Sequence, residues 1–312
     1  MKENYSHLAL ILTNKCNLNC VYCLRKKTTQ EIYLSGAKKI LQQARRAGYS
    51  NVGLTGGDPF LYDGLKDLLL FLNQSGWKVL IETNGVLVDS SWITFLKSLT
   101  QAEFSFSISL DSHDRRIHDA KRGCGSHEKA VRAINKLAQV GFPVRVIAVI
   151  TPDFEWRRED VTAYSRLCKK IGVSSISVQS EISTSPVQDS SKEASVSRSM
   201  EMLRTFNSGS LKISVERKKK GLKCSRLDGK CVAVSAAGVH PCIFFEKIIL
   251  AGLNDFREVH DWRLSSFYAF QRAALANYVD GEYDCSDCIR TVIRYMADVS
   301  GLIYYDKFSK KV

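Results

Sequence analysis

Short apolar runs alternate with longer amphipathic segments over roughly the first 180 residues of the chain. A short apolar run between turn residues predicts a buried strand, whereas apolar residues three and four apart predict a helix. Six strands are predicted on this basis, at residues 7–14, 52–54, 79–81, 104–110, 144–150 and 175–178. The helices predicted among them cover residues 35–48, 64–76, 90–99, 126–140 and 155–171. Strands that alternate with helices indicate a parallel sheet, so we expect an α/β fold, a partial (β/α)6 barrel of the TIM type.

The pattern changes after the sixth predicted strand. Residues 181–198 are rich in Ser, Thr and Gln, which predicts a linker or flexible loop. A short helix is predicted at residues 200–206, and beyond it cysteines become frequent. We therefore divide the chain into a barrel domain, residues 1–207, and a smaller cysteine-rich module, residues 208–312.

Composition narrows the class of protein only in part. No apolar run is long enough to span a membrane. The first predicted strand begins a few residues after Met1, which leaves no room for a signal peptide, and ten cysteines in such a chain favour metal binding over disulfides. We therefore expect a cytoplasmic protein. The net charge of +13 suits an acidic peptide or a phosphorylated metabolite, whereas the basic run at residues 217–220 lacks the interleaved aromatic residues that would favour nucleic acid.

Three cysteines, Cys16, Cys20 and Cys23, lie in one loop directly after the first predicted strand. Thiolates are the soft ligands of iron–sulfur clusters, and three of them leave one iron of a four-iron cube without a protein ligand. A zinc loop is the alternative, although a zinc site usually takes four ligands from its own module. The C-x3-C-x2-C spacing, with Tyr22 before the last cysteine, resembles the signature of the radical S-adenosylmethionine (SAM) superfamily. That resemblance implies a [4Fe–4S] cluster whose open iron is chelated by the amino and carboxylate groups of SAM.

A glycine-rich turn follows the second predicted strand and consists of Thr55, Gly56, Gly57, Asp58 and Pro59. Two glycines let a backbone approach a ligand closely, and a carboxylate can accept a hydrogen bond from an ammonium group. A turn without a ligand is the alternative. Beside the cysteine loop, the segment resembles the Gly-Gly-Glu-Pro motif of the superfamily, with Asp in place of Glu. The resemblance implies that its backbone binds the amino group of SAM.

Further candidate SAM contacts lie where the third and fourth predicted strands end: Thr83, Asn84, Ser107, Ser109 and Asp111. The first two belong to a Thr-Asn-Gly turn that is common in the superfamily. The last three share one face of their strand by alternation, which also fits small polar residues facing a core. The run at residues 118–126 resembles peptide-modifying members, in which a serine and an arginine contact the ribose and carboxylate of SAM. The resemblance implies these roles for Ser109 and Arg122, since a guanidinium suits a carboxylate.

The predicted C-terminal module contains five cysteines, namely Cys224, Cys231, Cys242, Cys285 and Cys288. A zinc ribbon is one interpretation. The layout also resembles the twitch domain, a hairpin-and-helix form of the SPASM extension behind many radical SAM barrels. The resemblance implies one auxiliary [4Fe–4S] cluster, held by the last three cysteines and by either Cys224 or Cys231, with Cys224 favoured. The spare thiol, Cys231 on this assignment, is either a buried structural cysteine or a hydrogen-atom donor to a substrate radical.

The resemblance as a whole implies an enzyme that cleaves SAM reductively to a 5′-deoxyadenosyl radical and abstracts a hydrogen atom from its substrate. A ribosomally synthesised peptide, altered by epimerisation or crosslinking, is the favoured substrate. The alternatives are dehydrogenation or rearrangement of an aminocyclitol- or nucleotide-type small molecule, and a non-enzymatic zinc- or nucleic-acid-binding module. The expected partners are the substrate, a reductase or flavodoxin-type electron donor, and a separate leader-peptide-binding protein.

Overall fold

The computed structural model describes residues 7–182, 190–206, 209, 211–215, 219–220, 231–240 and 282–283. The strands among them are β1 (His7–Thr13), β2 (Asn51–Gly56), β3 (Lys78–Thr83), β4 (Glu103–Ser109), β5 (Val144–Ile150), β6 (Ser175–Ser180), β7 (Lys212–Val215), β8 (Lys219–Lys220), β9 (Cys231–Ser235), β10 (Gly238–His240) and β11 (Glu282–Tyr283). The α-helices are α1 (Leu34–Arg46), α2 (Leu65–Gln74), α3 (Ser90–Lys97), α4 (Arg115–Arg122), α5 (Ser126–Gln139), α6 (Arg158–Lys170) and α7 (Ser190–Thr205). None of these helices is long and apolar enough to cross a membrane.

One nine-stranded sheet organises the fold, in the order β10-β9-β1-β2-β3-β4-β5-β6-β7. Strands β1 to β7 pair in parallel with their neighbours, β9 pairs in parallel with β1, and β10 is antiparallel to β9. The predicted α/β fold with a parallel sheet is thereby confirmed. The sheet also contains β7, β9 and β10, which lie beyond the six predicted strands. Because these strands follow residue 207, the sheet continues past the predicted domain boundary, and that boundary stays a prediction.

The predicted linker is wrong over its second half. Residues 190–198 form the beginning of α7, which continues through the short helix predicted at residues 200–206. Ser199 is fully buried in α7, and its Oγ accepts a hydrogen bond of 3.0 Å from the backbone N–H of Trp156. A serine-rich composition therefore hides a helix that is fixed by contacts with the segment before α6.

The core lies between the sheet and the helices, and strand alternation decides which residues enter it. In β5 the residues Val144, Val146, Ala148 and Ile150 are fully buried and join the core cluster. The residues between them, Arg145 among them, point to the opposite face of the sheet. We call this opposite face the inner face.

Candidate active site at the carboxyl edge of the sheet

The barrel residues predicted as site residues converge on one edge of the sheet. The cysteine loop, residues 16–23, follows β1, while the glycine-rich turn, Asn84 and Asp111 follow the ends of β2, β3 and β4. Parallel strands end at the same edge, which is also where barrels of this type bind ligands. The topology therefore brings four sequence motifs together.

The glycine-rich turn is docked on the segment that leads into the cysteine loop. The N–H of Gly57 donates to the carbonyl of Thr13 at 2.7 Å, and the N–H of Asp58 donates to the carbonyl of Lys15 at 2.8 Å. A Cβ atom on Gly57 would lie 2.1 Å from the Lys15 carbonyl oxygen, and one on Gly56 would lie 2.3 Å from the Thr13 carbonyl oxygen. Both glycines are therefore required by a close approach between two protein segments.

The carboxylate of Asp58 is fully buried and holds the next turn in place. It accepts hydrogen bonds from the N–H of Phe60 at 3.0 Å, the hydroxyl of Thr83 at 2.8 Å and the N–H of Asn84 at 2.9 Å. Burial raises the pKa of this carboxyl group, and the three donors oppose that effect. The side chain thus fixes the neighbouring turn, and the expected contacts of Asp58 and of the turn backbone with the SAM ammonium group stay predictions.

Asn84 connects this turn to the cysteine loop. Its Nδ2 donates to Oδ1 of Asn17 at 2.8 Å and lies 4.0 Å from the Sγ atom of Cys16. Its Oδ1 accepts from the N–H of Val86 at 2.9 Å, so the amide is used at both ends. The amide therefore presents a donor to one predicted ligand sulfur.

The three predicted ligand thiols lie within electrostatic range of one another. Cys16 and Cys20 are partly buried and Cys23 is exposed. Burial raises the pKa of the Cys16 and Cys20 thiols, and the Arg122 guanidinium opposes this at Cys20. Within the described part of the chain, no three His, Cys, Asp or Glu side chains converge as a single metal ion would require. Three soft sulfur donors in one short loop fit the ligand set of an iron–sulfur cluster, whose binding would release the thiol protons.

A buried ion pair holds the other side of the cysteine loop. Asp111, fully buried, accepts from Nε of Arg122 at 2.7 Å, Nη2 of Arg122 at 3.0 Å, the hydroxyl of Tyr22 at 2.5 Å and the N–H of Val149 at 3.0 Å. Burial alone raises the pKa of Asp111, but the Arg122 charge and these donors outweigh it and hold the pKa below its usual range. The guanidinium also lies 5.3 Å from the ring centre of Tyr22. Two of its nitrogens thus serve Asp111, and its expected contact with a SAM carboxylate stays a prediction.

His118 and Asp119 support this ion pair and the helix after it, roles that sequence reasoning missed. Nδ1 of buried His118 accepts from the N–H of Asp111 at 3.1 Å. Burial lowers the pKa of His118 to about 4, so the ring is neutral and keeps a lone pair for that bond. Asp119 accepts from the N–H groups of Gly125 and His127 at 2.8 Å each, at the beginning of α5. The His-Asp pair in the sequence is the signal that could have revealed both contacts.

Ser107 and Ser109 both lie on the inner face, but they differ in their contacts. Ser107 is buried, and its Oγ is 3.3 Å from both Nε and Nη2 of Arg145. Nη2 of Arg145 lies 3.9 Å from Oε1 of Glu82. Ser109 is the last residue of β4 and is partly exposed, at the same carboxyl edge of the sheet as the cysteine loop. Sequence reasoning also missed Arg145 and Glu82, although a charged residue inside a largely apolar strand is a signal that one face of the strand is polar.

The predicted auxiliary-cluster residues are mostly outside the described residues. Cys224, Cys242, Cys285 and Cys288 fall there. Cys231 is the first residue of β9, and its backbone pairs with His7, the first residue of β1. The cysteine loop follows Thr13, the last residue of β1. His7 and Thr13 are six residues apart along the strand, so Cys231 and the cysteine loop are separated by about 20 Å.

Comparison with known proteins agrees with this arrangement. The family model described as the radical SAM superfamily matches residues 10–165. The mycofactocin maturase MftC of Mycobacterium tuberculosis (strain CDC 1551 / Oshkosh) is 33% identical over 144 residues, which are 45% of this chain and 36% of that protein. A GTP 3′,8-cyclase of Clostridium perfringens (strain SM101 / Type A) is 29% identical over 168 residues, 49% of this chain and 50% of the cyclase. The chain thus spans half or less of these relatives.

A solved structure has the same fold. The crystal structure of Streptococcus suis SuiB bound to the precursor peptide SuiA superposes with a TM-score of 0.65 at 19% identity, covering 86% of this chain and 66% of SuiB. At that identity the likeness concerns the fold alone. The family match is more specific, because the matched segment contains the cysteine loop and each strand-end motif that anchors it. The chain belongs to the radical SAM superfamily.

Proposed function

We propose that this chain binds a [4Fe–4S] cluster and SAM at the cysteine loop and modifies a ribosomally synthesised peptide. The observation that carries the proposal is the anchoring of that loop at the carboxyl edge of the sheet. Asn84 holds it near Cys16, and Asp111 holds it through Tyr22. Such anchoring fixes three thiols in place, which is what a reactive centre with one open metal position requires.

The residues of the chain position the chemistry that the cofactor supplies. Cys16, Cys20 and Cys23 would each bind one iron, which leaves the fourth iron open to SAM. When bound there, the cluster and SAM would supply reductive cleavage of the sulfonium, with one electron from an external reductant and methionine as the leaving group, and hydrogen abstraction from a carbon of the substrate. The SAM contacts that we propose are the backbone of the glycine-rich turn, the hydroxyl of Ser109 and the guanidinium of Arg122.

The polar inner face of the sheet supports a polar substrate. Serine side chains line it along β4 and β6, and Arg145 and Glu82 remain about one-third exposed on it. The net charge of +13 favours an acidic peptide. The maturase relative and the peptide-bound SuiB structure support the same substrate class.

A small-molecule substrate is the second candidate. The observation that favours it is the GTP 3′,8-cyclase relative, which aligns with a similar share of the chain. Epimerisation or crosslinking of a peptide and rearrangement of a nucleotide begin with the same hydrogen abstraction. The products separate the two candidates.

We also propose an auxiliary [4Fe–4S] cluster in the C-terminal part, with a reductase or flavodoxin-type protein as electron donor. Its ligands would be Cys242, Cys285, Cys288 and either Cys224 or Cys231. The position of Cys231, about 20 Å along the sheet from the cysteine loop, argues against its donating a hydrogen atom at the carboxyl edge. Two assignments remain: Cys224 is the ligand and Cys231 a structural cysteine, or Cys231 is the ligand and Cys224 the free thiol.

The test combines metal analysis with product analysis. Anaerobically purified protein should contain about eight irons and the triple Ala variant of Cys16, Cys20 and Cys23 about four, with SAM cleavage lost. The exposed Cys124→Ala provides the matched control and should keep both iron and cleavage. Cleavage that survives the triple change would refute the assignment of the loop.

The substrate class requires a separate experiment. Peptide pools are incubated with the reduced enzyme in heavy water and analysed by mass spectrometry. A deuterium gained at an α-carbon marks epimerisation, and a loss of two hydrogens marks crosslinking. Cleavage of SAM without any altered peptide, together with conversion of a nucleotide, would favour the second candidate.

A further inference from the structure

Glu82, Ser107 and Arg145 form one row across three adjacent strands. The sheet register pairs Glu82 of β3 with Ser107 of β4, and Ser107 with Arg145 of β5. Residues directly opposite one another in a sheet point to the same side, here the inner face. The row is therefore a set of side chains that face the interior of the barrel together.

The ion pair in this row is loose. Nη2 of Arg145 lies 3.9 Å from the carboxylate of Glu82, and the two side chains are 38% and 34% exposed. The bonds from Arg145 to Ser107 are 3.3 Å long, and its Nη1 has no partner among the described residues. An exposed pair of this geometry contributes little to stability. The guanidinium therefore keeps donors available to a ligand.

The row lies just beneath the candidate SAM site. Glu82 immediately precedes Thr83, whose hydroxyl bonds to Asp58, and Ser107 is two residues before Ser109. At about 3.3 Å per strand residue, the row is roughly 3–7 Å below the carboxyl edge. A group bound there would hold a substrate close to the cysteine loop.

We propose that Arg145 binds a carboxylate of the substrate, with Ser107 orienting the guanidinium and Glu82 as the partner that the carboxylate displaces. Arg145 and Glu82 together are neutral, so a bound carboxylate leaves one net negative charge, and the partly exposed Glu82 carboxylate turns towards solvent as it is displaced. A phosphate dianion would leave two negative charges beside the same guanidinium, which favours the singly charged carboxylate. This proposal rests on the proposed function and deepens it, because on a peptide substrate the carboxylate that Arg145 binds is the side chain of an acidic residue.

The test uses a small probe, so that it does not depend on knowing the natural peptide. Protein labelled with ¹⁵N at the arginine Nε is titrated with N-acetyl-glutamate methylamide, and the Arg145 signal is assigned from Arg145→Lys. We expect that signal to shift and saturate, and Arg145→Gln to bind the probe about 10- to 100-fold more weakly, the range for a charged hydrogen bond. Arg198→Gln, which removes an exposed arginine paired with Glu155, is the control and should bind normally.

Two further measurements make the result decisive. Glu82→Gln should tighten probe binding about threefold to tenfold, because a competing carboxylate is removed; a purely structural pair would give no gain. The neutral N-acetyl-glutamine methylamide should not shift the signal. Equal binding of the neutral probe, unchanged binding to Arg145→Gln, or a response to inorganic phosphate alone would overturn the inference. Probe binding at Arg145 without modification of any peptide would refute the peptide proposal and leave the carboxylate site standing.

Discussion

Replacing Asp111 by Asn removes a buried charge without changing the size of the side chain. The carboxylate accepts two bonds from Arg122 and one from Tyr22, and no part of it reaches solvent. The change leaves the Arg122 guanidinium buried without its counterion, and an Asn amide can accept at one oxygen only. Breaking one side of a buried ion pair costs about 3–5 kcal/mol, so we expect the free energy of unfolding to fall by that amount.

Urea unfolding of the apoprotein, kept reduced and followed by tryptophan fluorescence, measures this loss. Glu103→Gln is the matched control, because it breaks an exposed pair with Lys78 at 3.3 Å and should cost less than about 1 kcal/mol. The double variant Asp111→Asn/Arg122→Gln should lose less than the sum of the single losses, since no uncompensated charge remains. A cost for Asp111→Asn no larger than that of the control would refute the view that this pair anchors the cysteine loop.

Three further predictions test separate parts of the barrel. Gly57→Ala should lower the free energy of unfolding by about 1–3 kcal/mol, because its Cβ would meet the Lys15 carbonyl oxygen at 2.1 Å; urea titration that finds no loss would contradict the docking of the turn. The pKa of His118 falls from 6.5 to about 4 on folding. As the pH drops from about 6.5 towards 4, the unfolded state binds a proton that the folded state does not, so the free energy of unfolding falls. Between about pH 7.5 and 4.5, wild type should lose about 2–3 kcal/mol relative to His118→Gln, and parallel pH profiles would exclude this linkage. Burial raises the pKa of Cys168 to about 12, so iodoacetamide at neutral pH should modify exposed Cys124 and spare Cys168 until urea is added, as peptide mass spectrometry would show.

Helix α4 and the first half of α7, which sequence reasoning missed, explain where hydrophobic periodicity stops being informative. α4 buries His118, Lys121 and Arg122, which are polar, so its buried face leaves no apolar stripe in the sequence. α7 begins with a serine-rich segment whose buried Ser199 bonds to the backbone before α6. In both cases a tertiary partner decides the structure, and periodicity contains no record of that partner. The first six strands were predictable because each is a short apolar run between turn residues.

The candidate site shows the same division between local and distant information. The cysteine spacing and the glycine-rich turn are local patterns, and each predicts its chemistry from consecutive residues. The bond from Tyr22 to Asp111 joins residues 89 positions apart, and that from Thr83 to Asp58 joins residues 25 apart. Their residue types are compatible with many partners, so only the fold selects among them. Asp58 is the example: the sequence shows it as part of a glycine-rich turn, and only the fold shows that its carboxylate also fixes the turn at Thr83 and Asn84.

Two arginines at this end of the barrel illustrate how environment assigns a role to a residue type. Arg122 is buried and makes two short hydrogen bonds to the carboxylate of Asp111, which is also buried. Separating the two groups would leave two buried charges unpaired, which would cost several kcal/mol. Arg145 is more than one-third exposed and pairs with Glu82 at a distance where the attraction is worth at most about 1 kcal/mol. A ligand carboxylate therefore displaces Glu82 from Arg145 at a lower cost than it would displace Asp111 from Arg122. This difference is why we propose Arg145 for a substrate carboxylate on the inner face, while the bonds of Arg122 to Asp111 stabilise the cysteine loop through Tyr22.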